Sequence, residues 1–414
     1  MRILYFHQHF STPEGSTATR SYEIVTRLAA IGHQVTIVCG SYSGSVTGLA
    51  SGFTRGKRQG NVGAFRVIEF DLAYTNADGL LKRTITFLKY VFRSLFIAMT
   101  SPCDLVFATS TPLTVAIPGI LARWLRRKPF IFEVRDLWPE LPKAMGVITN
   151  PIVLWAMSCL EWLAYHSADR LVALSPGMVD GIANRGIDRR RIIMVPNGAD
   201  IDLFGASASP AWRPPGVDSA ALLVLFAGTH GLANGLDAVL DAASVLSSRG
   251  RNDIKIALIG DGKYKPHLQA RAATENLTNV VFHAPLSKTS LSGVMAAADI
   301  CLQTLKDVPA FYYGTSPNKF FDALAAGKPV LTNYPGWIAE IITENKCGYA
   351  VPPGDPVRFA NALEHAADHR SELQVMGIHA REAAQRDFDR TKLITKLIEA
   401  IEDVGLNHSK AALG

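Results

Sequence analysis

Lys319 stands in the stretch SPNKFFDALAAGKPV, residues 316–330, which reads as a short helix closed by glycine and proline before an apolar strand. Ser316 suits the N-cap and Pro317 the first helical position, where a missing N–H costs nothing. A capping box would place Glu or Gln three residues after the serine. A cation there instead opposes the positive end of the helix dipole by roughly 0.3–1 kcal/mol. A phosphate held by the helix N-terminus removes the conflict, because the amides and the ammonium then share one anion. Pro317, Asn318 and Lys319 are therefore candidates for binding a diphosphate. Asp322, at i+3 from Lys319, lies on nearly the same face and suits sugar or ribose hydroxyls. The plain alternative is a solvated lysine and an ordinary surface aspartate.

Glycine-rich turns directly after strands extend the same chemistry. FAGTHGLANGL (226–236) carries Gly228 and His230, and LIGDGKYKPHL (258–268) carries Gly260, Gly262 and Lys263. In HQHFSTPEGSTATRSYEIV (7–25), Gly15 and Ser16 precede a helix expected to begin near Thr17. One such turn is only a tight strand–helix connection; three in one chain favour phosphate binding. A further cluster, FIFEVRDLWPELP (130–142), runs an apolar strand into Arg135, Asp136, Trp138 and Glu140. Arg135 and Asp136 are the candidate catalytic pair, against the alternative of an ion pair that stabilises a loop. His7 and His9 alternate after the first strand and read as polar lining of a cleft, since no acidic or cysteine partners for a metal stand nearby. No metal and no cofactor is expected.

These residues need elements to hold them. Short apolar runs alternate with helical patterns along all 414 residues, a length that favours two domains. RILYF, QVTIVC, FRVIEF, DLVFA, PFIFEV, RLVAL and RIIMV precede ALLVLFAG, DIKIALIG, NVVFHA, DICLQTL and KPVLTNY. Strands that are apolar throughout and separated by helices form parallel sheets covered on both faces. The expected architecture is α/β: two tandem Rossmann-like, doubly wound domains facing a cleft, with ligands beyond the carboxyl ends of the strands. The Pro/Gly/Ser-rich stretch 205–220 places the boundary, giving domains 1–204 and 205–388. The helical 389–414 segment is considered below.

The net charge of +6 is mild for this length and gives no footprint for nucleic acid. Five scattered cysteines outside CxxC spacing predict free thiols in a reducing, cytoplasmic setting. MRILYFHQHF reads as a core strand and not a signal peptide. Residues 83–99, RTITFLKYVFRSLFIAM, are apolar on most sides with Arg83, Lys89 and Arg93 interspersed. With Lys82 this helix suits a membrane interface bearing anionic headgroups, or equally a helix packed on the sheet.

GHQVTIVCG, DLWPE, ALSPGM, VPNGADIDLF, LIGDG, SPNKFFDALAAGKPVLT and GYAVPPGDP together make the chain resemble retaining glycosyltransferases of family 4, with the GT-B fold, over nearly its whole length. SPNKFFDALAAGKPV and RDLWPE are most similar to the branch that builds bacterial O-antigen and capsule repeats, which includes N-acetyl-fucosaminyl transferases. The resemblance implies a nucleotide-diphosphate sugar donor, usually uridine-linked, and a polyprenyl-diphosphate-linked glycan acceptor at the inner-membrane surface. It implies an N-terminal acceptor-binding domain, a C-terminal donor-binding domain, and a terminal helix (389–414) that crosses back to the first. It also implies metal-free neutralisation of the diphosphate.

The chain departs from the family pattern in three places. The two glutamates usual around the 316–330 helix are Gly314 and Asp322; the usual arginine and lysine of the 226–236 turn are Thr229 and Asn234; and the His-Asp before LWP is Arg135–Asp136. Neutralisation then falls to Lys319, helped by Lys263 and His230, and Asp136 is the better catalytic candidate because arginine is no base near neutral pH. The rival readings are a nucleotide-sugar epimerase or hydrolase of the same fold, and a catalytically inert nucleotide-sugar-binding scaffold of a polysaccharide assembly complex.

Overall fold

The computed structural model describes residues 1–15, 19–75, 78–205 and 209–413, so Ser16 and Thr17 lie outside the described residues. The chain forms two compact units, Met1–Pro196 with Thr391–Gly414, and Asn197–Arg390.

The first unit is built on eight strands: β1 (Arg2–Phe6), β2 (Gln34–Tyr42), β3 (Lys57–Val62), β4 (Phe65–Tyr74), β5 (Leu105–Thr109), β6 (Phe130–Val134), β7 (Arg170–Ala173) and β8 (Ile192–Met194). Their order is β3-β4-β2-β1-β5-β6-β7-β8. All neighbours are parallel except β3, which pairs antiparallel with β4. Helices cover both faces, so β5 and β6 are buried from end to end and are apolar except for Thr109 and Glu133. On one face the helices Leu80–Thr100, Ala116–Arg126 and Pro151–Ser167 pack over Leu4, Val106 and Phe132. On the other, the Arg20–Ala30 helix and the Arg390–Leu413 helix pack over Ile3, Tyr5 and Phe107.

The Arg390–Leu413 helix buries Ile394, Leu397 and Ile401 at 1 % exposure or less among those residues. Leu397→Ala is therefore expected to destabilise this unit by about 2–5 kcal/mol, read as a lower urea midpoint with an unchanged slope. A midpoint equal to that of the parent chain would contradict this packing.

The second unit has six parallel strands: β9 (Leu222–Ala227), β10 (Ile254–Ile259), β11 (Val280–His283), β12 (Ile300–Gln303), β13 (Val330–Thr332) and β14 (Gly348–Ala350), in the order β11-β10-β9-β12-β13-β14. In both sheets the order reverses at a central pair, β1/β5 and β9/β12, where the carboxyl ends leave room for a ligand.

The units divide at 196/197 and 390/391, whereas composition placed the first division at 204/205 and the family resemblance the second at 388/389. The Pro/Gly/Ser-rich stretch is anchored within the second unit. Its Ser209 N–H donates to Ser292 Oγ (3.0 Å), and Arg213 pairs with Asp299 (3.1 Å). A compositional break marks a loop here, not the division between units.

Candidate functional site

In the second unit the helix after β12 runs Asn318–Ala325 with Pro317 as its N-cap, one residue later than the sequence suggested. The reason is Asn197. Its N–H donates to Ser316 Oγ (3.1 Å) and its side-chain amide to Ser316 O (2.5 Å), so the serine is not free to cap the helix. Lys319 remains in the first turn. Its Nζ donates to Asn234 Oδ1 (2.6 Å) and lies 4.2 Å from the centre of the Phe226 ring. Burial pushes its pKa down to about 7, with no opposing contribution from a neighbouring carboxylate. Asn234 is held in turn by donating to Thr229 O (2.8 Å). The two departures in the 226–236 turn thus form one arrangement: a neutral amide where a cation is usual, contacting the remaining lysine.

Gly228, directly after β9, lies against this group, and a Cβ there would stand 3.7 Å from Lys319 Nζ. Gly260 has φ +145°, and a Cβ there would lie 1.9 Å from Gly228 O, so no side chain fits between the two turns. His230 is fully buried beside them, and neither ring nitrogen has a partner among the described residues. Burial lowers its pKa to about 4, reinforced by Lys265 and Lys319 and opposed by Asp261, so it is neutral at pH 7. Lys263 is exposed on the turn after β10. Lys265, which the sequence reading passed over although it follows LIGDG closely, is the anchored lysine of that turn, donating to Gly260 O (2.7 Å) and His283 O (2.8 Å).

Asp322 is buried at 6 % exposure, and its Oδ1 lies 3.6 Å from both Lys288 Nζ and Arg390 Nη2. Asp200 completes the group, 3.4 Å from Lys288 and 3.1 Å from Arg390. Burial raises the pKa of Asp322 while the two cations oppose the rise. Neither Lys319 nor Asp322 is the exposed surface charge of the plain alternative. Asp322 faces two internal cations, whereas Lys319 faces an amide and a ring. The VPNGAD motif supplies this framework through Asn197 and Asp200, a role its sequence did not reveal.

In the first unit the carboxyl ends of β1, β5 and β6 gather a second cluster. Asp136 Oδ2 accepts from Thr111 Oγ1 (2.6 Å). Burial raises its pKa, with the Thr111 bond and Arg135 opposing. Arg135 donates its N–H to Ser110 Oγ (2.9 Å) and sets Nη1 3.4 Å from His7 Nε2. His7 is buried, and desolvation with the nearby Arg135 and His9 charges holds its pKa well below the usual range. His9 contacts Tyr74 through its ring and has a pKa lowered to about 3, chiefly by burial. Among the described residues no group of three or more His, Cys, Asp or Glu is placed to hold a metal ion.

Glu133 is different in kind. Fully buried, it accepts from Arg20 Nε (2.9 Å) and Thr109 Oγ1 (2.5 Å), while Arg20 also donates to Val195 O and Pro196 O. Burial would raise its pKa, but Arg20 and Arg135 hold it below the ordinary value. This pair fixes the chain where it leaves the first unit. Gly15 sits close to the loop after β2, where a Cβ would meet Gly44 O and Val46 N at 2.9 Å, and to Ser11 Oγ of its own loop.

Two family models match side by side and together cover most of the chain. The Glycosyl transferase 4-like domain matches residues 15–198, and Glycosyl transferases group 1 matches residues 221–369. The chain belongs to the glycosyltransferases. The probable glycosyltransferase WbjE of Pseudomonas aeruginosa is 23% identical over 354 residues, 82% of this chain and 85% of that protein. D-inositol 3-phosphate glycosyltransferase 2 of Catenulispora acidiphila is 29% identical over 231 residues, but the match spans only 53% of either chain. Among solved structures, Anabaena HepE in complex with UDP superposes with a TM-score of 0.66 at 17% identity, covering 97% of this chain and 100% of that one. WaaG, a glycosyltransferase involved in lipopolysaccharide biosynthesis, gives 0.71 at 18% identity over 96% and 99%. The glycosyltransferase fold is GT-B, with two α/β units of parallel sheet.

Proposed function

We propose that this glycosyltransferase moves a sugar, with retention, from a UDP-linked donor to a polyprenyl-diphosphate-linked glycan at a membrane surface, in the assembly of a bacterial O-antigen or capsule. The observation that carries the donor reading is Lys319: a cation in the first turn of a helix, desolvated against Phe226 and Asn234, beside the closely packed turns of Gly228 and Gly260. Such a group is complementary to the charge that grows on the β-phosphate as the nucleotide leaves. Pro317, Asn318 and Gly228 shape the diphosphate site, and His230 and Lys263 border it. Asp322 holds the helix through Lys288 and Arg390. Asp136 and Arg135 position the reacting hydroxyl or sugar, and no metal takes part. The UDP complex of HepE and the lipopolysaccharide role named for WaaG are consistent with this donor and pathway class.

The test is transfer itself: UDP release from a panel of UDP-sugars with a polyprenyl-diphosphate oligosaccharide, and the anomeric configuration of the product by NMR. A product of inverted configuration would overturn retention, and donor binding without transfer would favour the inert scaffold.

The lysine also sets a pH dependence. Free Lys319 titrates near pH 7, and a bound diphosphate raises its pKa, so UDP binding takes up a proton. Affinity should be highest below pH 7 on this account and fall between pH 7 and 9, approaching tenfold per unit. His230, with its pKa near 4, stays neutral in that window. Calorimetric titration in two buffers of different ionisation enthalpy measures the proton directly; a flat affinity from pH 7 to 9 would contradict the assignment.

A further inference from the structure

The helices Leu80–Thr100, Ala116–Arg126 and Pro151–Ser167 lie side by side over one face of the first sheet. Their inner sides bury Tyr90, Ile97, Ile120, Ala164 and Tyr165. Their outer sides are also apolar, which a helix covering a sheet in water does not require. Phe92 is 71 % exposed, Phe96 68 %, Trp124 65 % and Trp155 69 %, with Leu81 and Trp162 exposed as well. On the first helix Leu81, Ile85, Leu88, Phe92 and Phe96 are all exposed and recur every three or four residues, so they form one stripe. Pro151–Ser167 carries apolar side chains on its outer side as well as its inner one, with Ile152, Val153, Trp155 and Trp162 exposed.

The helices themselves carry mostly positive charge, of which Lys82 pairs with Asp78 (2.8 Å) and Arg123 with Asp169 (3.0 Å) on flanking segments. Lys82, Arg83, Lys89, Arg93, Arg123 and Arg126 lie on the first two helices, which hold no Asp or Glu. Across the three helices the one acid is Glu161, which is buried and paired with Arg185. Two grooves join the basic and apolar groups along Leu80–Thr100. One, of about 390 Å³, is lined by Leu81, Ile85, Lys82 and Lys89, with Asp71 at its side; the other, of about 360 Å³, by Phe92, Phe96, Arg93 and Lys57. No helix among the described residues is long and apolar enough to cross a membrane.

We infer that the whole three-helix layer is a bilayer-docking face that takes anionic phospholipid, with Trp124, Trp155 and Trp162 seated at the headgroup level and the lysines and arginines on lipid phosphates. This extends the single interfacial helix considered from the sequence to two neighbours. It stands on exposure and charge, independently of the donor reading. Wide aromatic anchors with cations suit the bilayer interface, where an apolar ring and a polar edge are both satisfied. A soluble protein partner would require acids to meet these cations, whereas anionic lipid supplies them throughout its surface.

The experiment is co-sedimentation of the full chain with vesicles of phosphatidylcholine alone or with phosphatidylglycerol added. Binding is expected only to the anionic vesicles. The paired change Lys82→Gln/Lys89→Gln should weaken partitioning roughly fivefold per charge removed, and Trp155→Ser/Trp162→Ser should weaken it at any salt concentration. These side chains are exposed, so melting temperatures report whether each variant is folded, and Lys319→Ala should bind vesicles as the parent does. Absence of binding to anionic vesicles would overturn the inference. So would binding insensitive to both pairs, or concentration-dependent self-association that the tryptophan pair abolishes without vesicle binding.

Discussion

Lys319→Ala is expected to lower kcat by about 10²–10³-fold, the scale found when one preorganised donor to a developing anion is removed. The fold should survive, and the melting temperature should hold or rise. The reason is electrostatic: the ammonium is desolvated against a ring and an amide with no carboxylate contribution, so the unliganded protein bears a cost that alanine relieves. A lysine serving only as structure would behave the other way, losing stability with little change in turnover. Lys319→Arg keeps the charge but not the compact ammonium that fits between Asn234 and Phe226, so it should recover only part of the rate. Steady-state kinetics with paired melts separate these outcomes.

Asp136→Asn is expected to lower kcat by about 10²–10⁴-fold, the range for a group that assists proton transfer. Asparagine can still accept the Thr111 hydroxyl at the same place, so the loop should stay in position. The pH profile gives a readout that packing alone would not move. Burial raises the Asp136 pKa and Arg135 opposes the rise, so activity that needs the carboxylate falls on the acid side above the usual aspartate range. Removing the guanidinium with Arg135→Met should move that acid limb further up in pH. A loss below tenfold in the Asn variant, with the acid limb unmoved in the Met variant, would shift the proton acceptor to the leaving phosphate.

Much of this protein was legible from its residue order because both faces of its sheets are covered. β5, β6, β9 and β10 are apolar but for Thr109, Glu133 and Lys255, and the turns after β9 and β10 carry the glycines that close approach demands. β3 was missed because KRQGNV is polar and pairs antiparallel at the sheet edge, and β14 because GYA has no branched apolar residue, unlike the equally short β8 and β13. Lys319 could be singled out since its conflict with the helix dipole is a local feature of sequence. Asn197, Asp200, Lys288 and Arg390 could not, because their meaning comes from partners brought together across long stretches of chain. Arg20 is the extreme case: an unremarked arginine in a helix that proves to be the partner of a buried glutamate 113 residues away.

The most direct test of the donor site is the melting temperature of the purified chain with saturating UDP, GDP, dTDP or CMP, repeated with Lys319→Ala. A nucleotide at a hundred times its dissociation constant stabilises by about 2.7 kcal/mol, a shift of a few degrees in a protein of this size. The account predicts a rise with UDP in the parent chain and little or none in the variant. An equal rise in both, or none with any nucleotide in the parent, would contradict it.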